Sequence, residues 1–182
     1  QYFHLIRSQM RRPFRKPLVV VSPKKMLKFK GANCDIEDFA EGLRFQRILP
    51  DKHEALAADD KVRKVVFCSG QVYYDLQAER TKRGINDVAI CRVEQISPFP
   101  FRDVEKVFNQ YKNATMTWSQ EEPKNAGCYD FVNPRFKNQL MHMGHKHLDV
   151  EYAGRPISAS TATGYGKQHT QELANLLEAA LK

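Results

Sequence analysis

The sequence predicts an α/β domain: a mainly parallel sheet with helices on both faces, a Rossmann-like three-layer sandwich. Three observations predict it. Four short strand-like runs recur along the chain, most of them continuously apolar rather than alternating, as strands covered on both faces are. Each run is followed by a stretch of helical periodicity, so strand and helix alternate at βα spacing. Gly and Pro punctuate the joins. Right-handed crossovers wind such a chain into one open sheet.

In chain order, "QYFHLIRSQMRRPF" places Tyr2, Phe3, Ile6 and Met10 at helical spacing, with no N-cap residue ahead of them. It reads as the inside of a helix, and the chain as one that begins mid-protein. "KPLVVVSPKK" is a β-branched run closed by Ser22-Pro23 and predicts a buried strand. Residues from about 28 to 60 are charged and irregular, interrupted by Gly31, Gly42 and Pro50, and read as a linker around a domain surface; "GLRFQRIL" is a candidate short strand within it.

The repeating pattern begins at residue 61. "RKVVFCSG" is a strand, and "QVYYDLQAERTKRG" a helix stopped by Gly84, with Val72 and Leu76 on one face and Glu79 and Arg80 marking the other. "DVAICRVEQISPFP" is a strand ended by two prolines, and "FRDVEKVFNQYKN" a helix with Phe101, Val104 and Phe108 on one side. "ATMTWSQEEP" and "HLDVEYAGR" are the remaining strands. Between them "GCYDFVNPRFKNQLMHM" is a proline-interrupted helical region. "KQHTQELANLLEAALK" closes the chain, with Leu173, Leu176, Leu177 and Ala180 facing inward.

Composition narrows the function. The chain has 182 residues, 42% hydrophobic and 10% aromatic, enough for a real core. A net charge of +8 suits an acidic partner, an anionic ligand or nucleic acid. The basic residues are densest in "RSQMRRPFRK" and "SPKKMLKFK", without the repeated aromatics of a nucleic-acid module, so no nucleic-acid partner is expected. A free-standing basic binding module is the rival that charge alone supports. Cys34, Cys68, Cys91 and Cys128 lack metal-type spacing and read as reduced thiols of an intracellular protein. No apolar run reaches the ~20 residues that cross a bilayer.

Three strands end in polar residues: Ser69-Gly70-Gln71, Glu94-Gln95-Ile96-Ser97 and Ser119-Gln120-Glu121-Glu122. In a parallel sheet these ends share one edge, where ligands bind in open α/β folds. Glu121 and Glu122 are not an acid–base pair, because adjacent side chains on a strand point to opposite faces. Trp118 packs below them.

Several stretches together resemble the carboxyl-terminal region of the E1 component of the 2-oxoglutarate dehydrogenase complex: "YFHLIRSQMRRPFRKPLVVVSPKKML", "FQRILP", "VVFCSGQVYYDL", "VAICRVEQISPFP", "QEEPKNAGCYDFVNPRF" and "YAGRPISASTATG". The combination of R-x-E-Q-x-S-P-F-P with Q-E-E-x-x-N-x-G is specific. The resemblance implies a thiamine-diphosphate- and magnesium-dependent enzyme of transketolase-like build in the tricarboxylic acid cycle. Such a subunit decarboxylates 2-oxoglutarate and passes the succinyl group to the lipoyl arm of the E2 dihydrolipoyl succinyltransferase, in a complex completed by E3. It implies that residues 1–28 end a pyrimidine-binding domain, that 29–60 are a linker, and that 61–182 form a transketolase carboxyl-terminal-like domain. The cofactor motif and substrate-binding residues of the family lie upstream, so no catalytic or cofactor-binding residue is expected here. The chain is expected to be structural and dimer-forming, in a mitochondrial matrix or a bacterial cytoplasm. The equivalent region of a 2-oxoadipate dehydrogenase is the near alternative.

The family also suggests a regulatory alternative, a site for AMP- or acetyl-CoA-type anions. Its candidate residues are Ser69, Gln71, Gln120 and Arg155, with Ser69-Gly70 opening a helix whose free N–H groups favour an anion. The family often carries lysine where Gln71 stands. "SASTATGYGKQH" is a strand-to-helix connection and not a P-loop, since Gly-Lys is followed by Gln168; Arg155 or Lys167 there suits an anionic partner. His142, His145 and His147 lack ligand spacing and read as a solvated loop, with no metal expected. His4 and His169 are packed or surface residues. Phe99, Phe101, Tyr129 and Phe131 are core or dimer contacts.

Overall fold

The computed structural model describes residues 1–182. The chain folds as two compact units, Gln1–Gln46 and Arg47–Lys182. In the first, helix α1 (Tyr2–Arg11) is followed by irregular chain and three single-turn 3-10 segments. His4, its one buried helical residue, donates from Nε2 to the Asp38 carbonyl at 2.8 Å. Phe3 meets Phe39 edge-on at 5.0 Å. Gln1 clasps the backbone of Gln46 in both directions, at 2.6 and 2.9 Å.

The run predicted as a buried strand, residues 16–25, forms none, and Val19 and Val21 are 81% and 93% exposed. A β-branched run becomes a strand only where a neighbour takes its N–H and C=O groups, and no strand of this unit lies beside it. Tyr2, Phe3, Ile6 and Met10 likewise line an exposed face of α1.

The second unit carries a five-stranded sheet in the order β1-β3-β2-β4-β5. Its strands are β1 (Ile48–Leu49), β2 (Lys64–Cys68), β3 (Val88–Val93), β4 (Thr115–Pro123) and β5 (Val150–Arg155). Strand β2 runs parallel to β3 and β4, and β4 parallel to β5; only the short β1, from "GLRFQRIL", is antiparallel. Helices α2 (Val72–Arg83), α3 (Phe101–Gln110), α4 (Tyr129–His142) and α5 (Gly166–Leu181) fill the connections and the end of the chain. This is the transketolase carboxyl-terminal-like architecture that the resemblance implies.

Strand alternation divides the core in two. Val65, Phe67, Cys91, Met116 and Trp118 pack under Val104, Val107 and Phe108 of α3 and Val132, Phe136 and Leu140 of α4. Val66, Cys68, Ile90 and Ala153 face Val72 and Leu76 of α2 and Leu176, Ala180 and Leu181 of α5. Two helix readings change. Val107 takes the inward place expected of Phe101, which is 42% exposed. Helix α4 runs through Pro134, which forfeits only one helical hydrogen bond near the start, on an exposed face.

Arg80 is the larger correction, because it lies inside. Its guanidinium meets the Asp51 carboxylate with the two side chains 1% and 2% exposed, and also donates to the Val88 carbonyl at 3.0 Å. Asp51 Oδ2 accepts the Ile90 N–H at 2.7 Å, and Oδ1 accepts the His53 N–H at 2.9 Å. Strand β1 pairs only with Arg92 and Val93, so this carboxylate takes over from the edge strand where β1 has ended. A buried ion pair broken from one side leaves an uncompensated charge. Asp51→Ala is therefore expected to cost roughly 3–5 kcal/mol in urea unfolding. The double change Asp51→Leu with Arg80→Met should cost clearly less than either single change, and simple additivity would contradict the pairing.

Candidate functional site at the carboxyl edge of the sheet

Strand β2 lies between β3 and β4, so the connection from β3 to β4 passes back across it. The order reverses between β2 and β4, and the crevice beyond their carboxyl ends is where such sheets hold ligands. Register sets Cys68 beside Arg92 on one side and Ser119 on the other, which brings the three polar strand ends to one edge.

Ser69 and Gly70 leave β2, and Gly70 takes φ +79, a conformation that glycine adopts without strain. Helix α2 begins just after Gln71. The Gln71 carboxamide donates from Nε2 to both oxygens of Glu121, at 3.1 and 2.8 Å. Gln71 Oε1 and the neighbouring Ser119 Oγ are buried without a hydrogen-bond partner. Glu121 is half-buried and Glu122 exposed, and no hydrogen bond joins the two carboxylates. Arg92 stacks over Tyr73 at 4.4 Å and pairs with Glu94 at 3.7 Å.

Gln120 serves the opposite face. Its Oε1 accepts from Trp118 Nε1 at 2.9 Å and from the Tyr129 N–H at 3.0 Å, while Nε2 donates to the Pro123 carbonyl at 3.0 Å. One carboxamide thus joins the strand to the start of α4. Gly127 keeps the space open, since a Cβ there would collide with that carboxamide. Beside it Lys124 sits over the rings of Tyr129 and Tyr152, at 5.1 and 5.3 Å. Burial first, then the nearby charges, pushes the Tyr152 hydroxyl up to about 12 against a hydrogen bond from Gln120 that acts downward.

Arg155 forms a third group at the end of β5. Its Nη1 donates to Thr163 Oγ1 at 2.9 Å and Glu172 Oε2 at 3.2 Å, and its Nη2 to His169 Nδ1 at 2.8 Å. Hydrogen bonds from Thr163 and then Gln168 hold the Glu172 carboxyl below its ordinary range, outweighing desolvation. The four expected residues therefore sit on one edge in separate arrangements: Ser69 and Gln71 at α2, Gln120 inside the Trp118 network, Arg155 at α5. Of the histidines, His145 Nδ1 bonds within its own loop to His147, and His142 is exposed. No group of three or more His, Cys, Asp or Glu side chains is placed to hold a metal ion.

Sequence reasoning missed Asp51, Arg80, Arg92 and the His169–Glu172 pair around Arg155. Only the R-x-E spacing of Arg92 and Glu94 hinted at any of them. The edge can orient side chains, brace helix starts and present donors to an anion. Burial drives the Cys68 thiol far up and that of Cys91 to about 12, so neither is disposed to act as a nucleophile.

Two outcomes follow. Gln120→Ala strands the Trp118 and Tyr129 donors and is expected to cost about 3 kcal/mol, read by fluorescence of the single tryptophan during denaturation. With a thiol reagent at pH 8, exposed Cys34 should react first and half-buried Cys128 slowly, with Cys68 and Cys91 reacting only on unfolding. Rapid labelling of all four would contradict the burial.

Against known proteins, a sequence profile described as "2-oxoglutarate dehydrogenase C-terminal" matches residues 33–181. The chain is 46% identical over 187 residues to a protein named "2-oxoglutarate dehydrogenase E1 component" from Brucella abortus (strain S19), covering 99% of this chain and 19% of that protein. Proteins of the same name from Brucella anthropi and Brucella ovis match with the same identity and coverage. The chain thus spans about a fifth of the length of these curated relatives.

Proposed function

Because the chain belongs to the 2-oxoglutarate dehydrogenase C-terminal family, we propose that it is the carboxyl-terminal, non-catalytic part of an E1 subunit of the 2-oxoglutarate dehydrogenase complex. The observation that carries this reading is identity of 46% across 99% of the chain. The full polypeptide would decarboxylate 2-oxoglutarate oxidatively and transfer the succinyl group to the lipoyl arm of E2, with E3 completing the complex in the tricarboxylic acid cycle. It would act as a homodimer, in the mitochondrial matrix of a eukaryote or the cytoplasm of a bacterium. No helix of the chain is long and apolar enough to cross a membrane.

The parent's cofactors would be thiamine diphosphate and magnesium. They would be held by residues of the full polypeptide that lie upstream of this chain. In this reading residues 1–28 close the pyrimidine-binding domain, 29–60 link it, and 61–182 form the terminal domain. Choice between 2-oxoglutarate and 2-oxoadipate would rest on the same upstream residues. Calorimetry with magnesium and thiamine diphosphate tests the division of labour: tight binding to the full polypeptide, none to the 182-residue chain. Tight binding to the chain alone would overturn it.

A second reading gives this edge of the sheet a regulatory role toward AMP- or acetyl-CoA-type anions, through Ser69, Gln71 and Arg155; Gln120, the fourth expected residue, is taken up by Trp118, Tyr129 and Pro123. It is favoured by Arg155, which lines an open cleft. A ligand at 100 times its Kd stabilises by about 2.7 kcal/mol, so a thermal-shift series with AMP, ADP and acetyl-CoA decides it.

A further inference from the structure

Residues 18–22, between Pro17 and Pro23, form no backbone hydrogen bond within the chain. We propose that this run adds as a strand to an acidic-flanked sheet edge in the upstream part of the full polypeptide. The inference deepens the proposed function by naming what the segment pairs with, and rests on the chain being one part of a longer E1 subunit.

The run has a common strand length, and the proline at either end stops pairing there because it has no N–H to give. Its faces alternate and both are apolar. Val19 and Val21 stand 81% and 93% exposed on one, Leu18 and Val20 40% and 43% exposed on the other. A strand apolar on both faces belongs in a sheet covered on both sides. The carboxyl-terminal family profile begins at residue 33, whereas the relatives align across 99% of the chain. Residues 1–32 therefore go with the part of those proteins that precedes the family's terminal domain. The match covers 19% of such a relative, which leaves ample chain to supply the edge.

Charge selects the occupant. From residue 7 to residue 30 the sequence carries nine basic residues and no acidic one. None of the nine is in an ion pair, since every ion pair of the chain lies at Arg47 or beyond. Lys16 and Lys24, next to the two prolines, are exposed. Two copies paired antiparallel through this run would set Lys16 against Lys24, and like charges opposite one another in a sheet are destabilising. Prolines and cations around an apolar strand thus deter self-pairing. The same cations fit an edge whose flanks are acidic.

The test is amide hydrogen exchange, read by mass spectrometry, on the full polypeptide and on the 182-residue chain. Amides 18–22 are expected to exchange at least about a hundredfold more slowly in the full polypeptide, and freely in the chain alone. Lys16→Glu combined with Lys24→Glu, both at exposed positions, should speed that exchange about tenfold in the full polypeptide and leave the chain alone unchanged. Free exchange in the full polypeptide would overturn the strand; if that polypeptide still binds thiamine diphosphate tightly, the proposed function stands without it. Protection in the 182-residue chain by itself would overturn the upstream edge, and a rise with concentration would make a second copy the partner. Protection unmoved by the double charge reversal would overturn the acidic flanks.

Discussion

Asp51 and Arg80 hold a pair of opposite charges where water does not reach, and the outer edge of the sheet is organised around them. Strand β1 is two residues long and pairs with only part of β3. Beyond it, the Asp51 carboxylate receives the Ile90 N–H that an edge strand would otherwise take. Arg80 neutralises that carboxylate and at the same time fixes the third turn of α2 to the start of β3 through the Val88 carbonyl. A helix, a strand and an irregular segment therefore share one electrostatic contact. Because each partner would be destabilising alone, the contact favours a single arrangement over its neighbours.

At the other end of the strands the organising rule is alternation. Successive side chains of β4 go to opposite faces, which sends Gln120 into the aromatic layer with Trp118 and Tyr129 and Glu121 toward Gln71 on the α2 side. The polar edge is thus divided by face. The Gln120 group on one face is fully satisfied and structural. On the other face the groups at the starts of α2 and α5 are separate, and each still carries buried polar atoms without partners, at Gln71 and Ser119 and at Arg155. Parallel strands bring both helix starts to the same edge, so donors collect there as a consequence of topology.

Much of this was readable from residue order. Continuous apolar runs forecast β2 and β3, and Gly84 forecast the end of α2, where the structure gives it φ +63. Buried Cys68 and Cys91 followed from their apolar neighbours, and the polar strand ends from the residues after each run. Other readings failed for stated causes. Residues 16–25 have strand composition, but composition cannot supply a neighbouring strand. Phe101 has the spacing of an inward residue, yet the helix is turned so that Val107 takes the place.

What the sequence alone determined is the alternation of strands and helices, the parallel sense of the sheet and membership of a family, because periodicity and motif order are local properties of the chain. What only the tertiary structure decided is which polar groups meet. Asp51 and Arg80 are 29 residues apart and Arg155 and Glu172 are 17 apart, and no periodicity links either pair. A charge on a helix is a solvated face by default and becomes an interior residue only when its counter-charge arrives from elsewhere. That arrival is set by how the elements pack, and packing is a property of the whole fold.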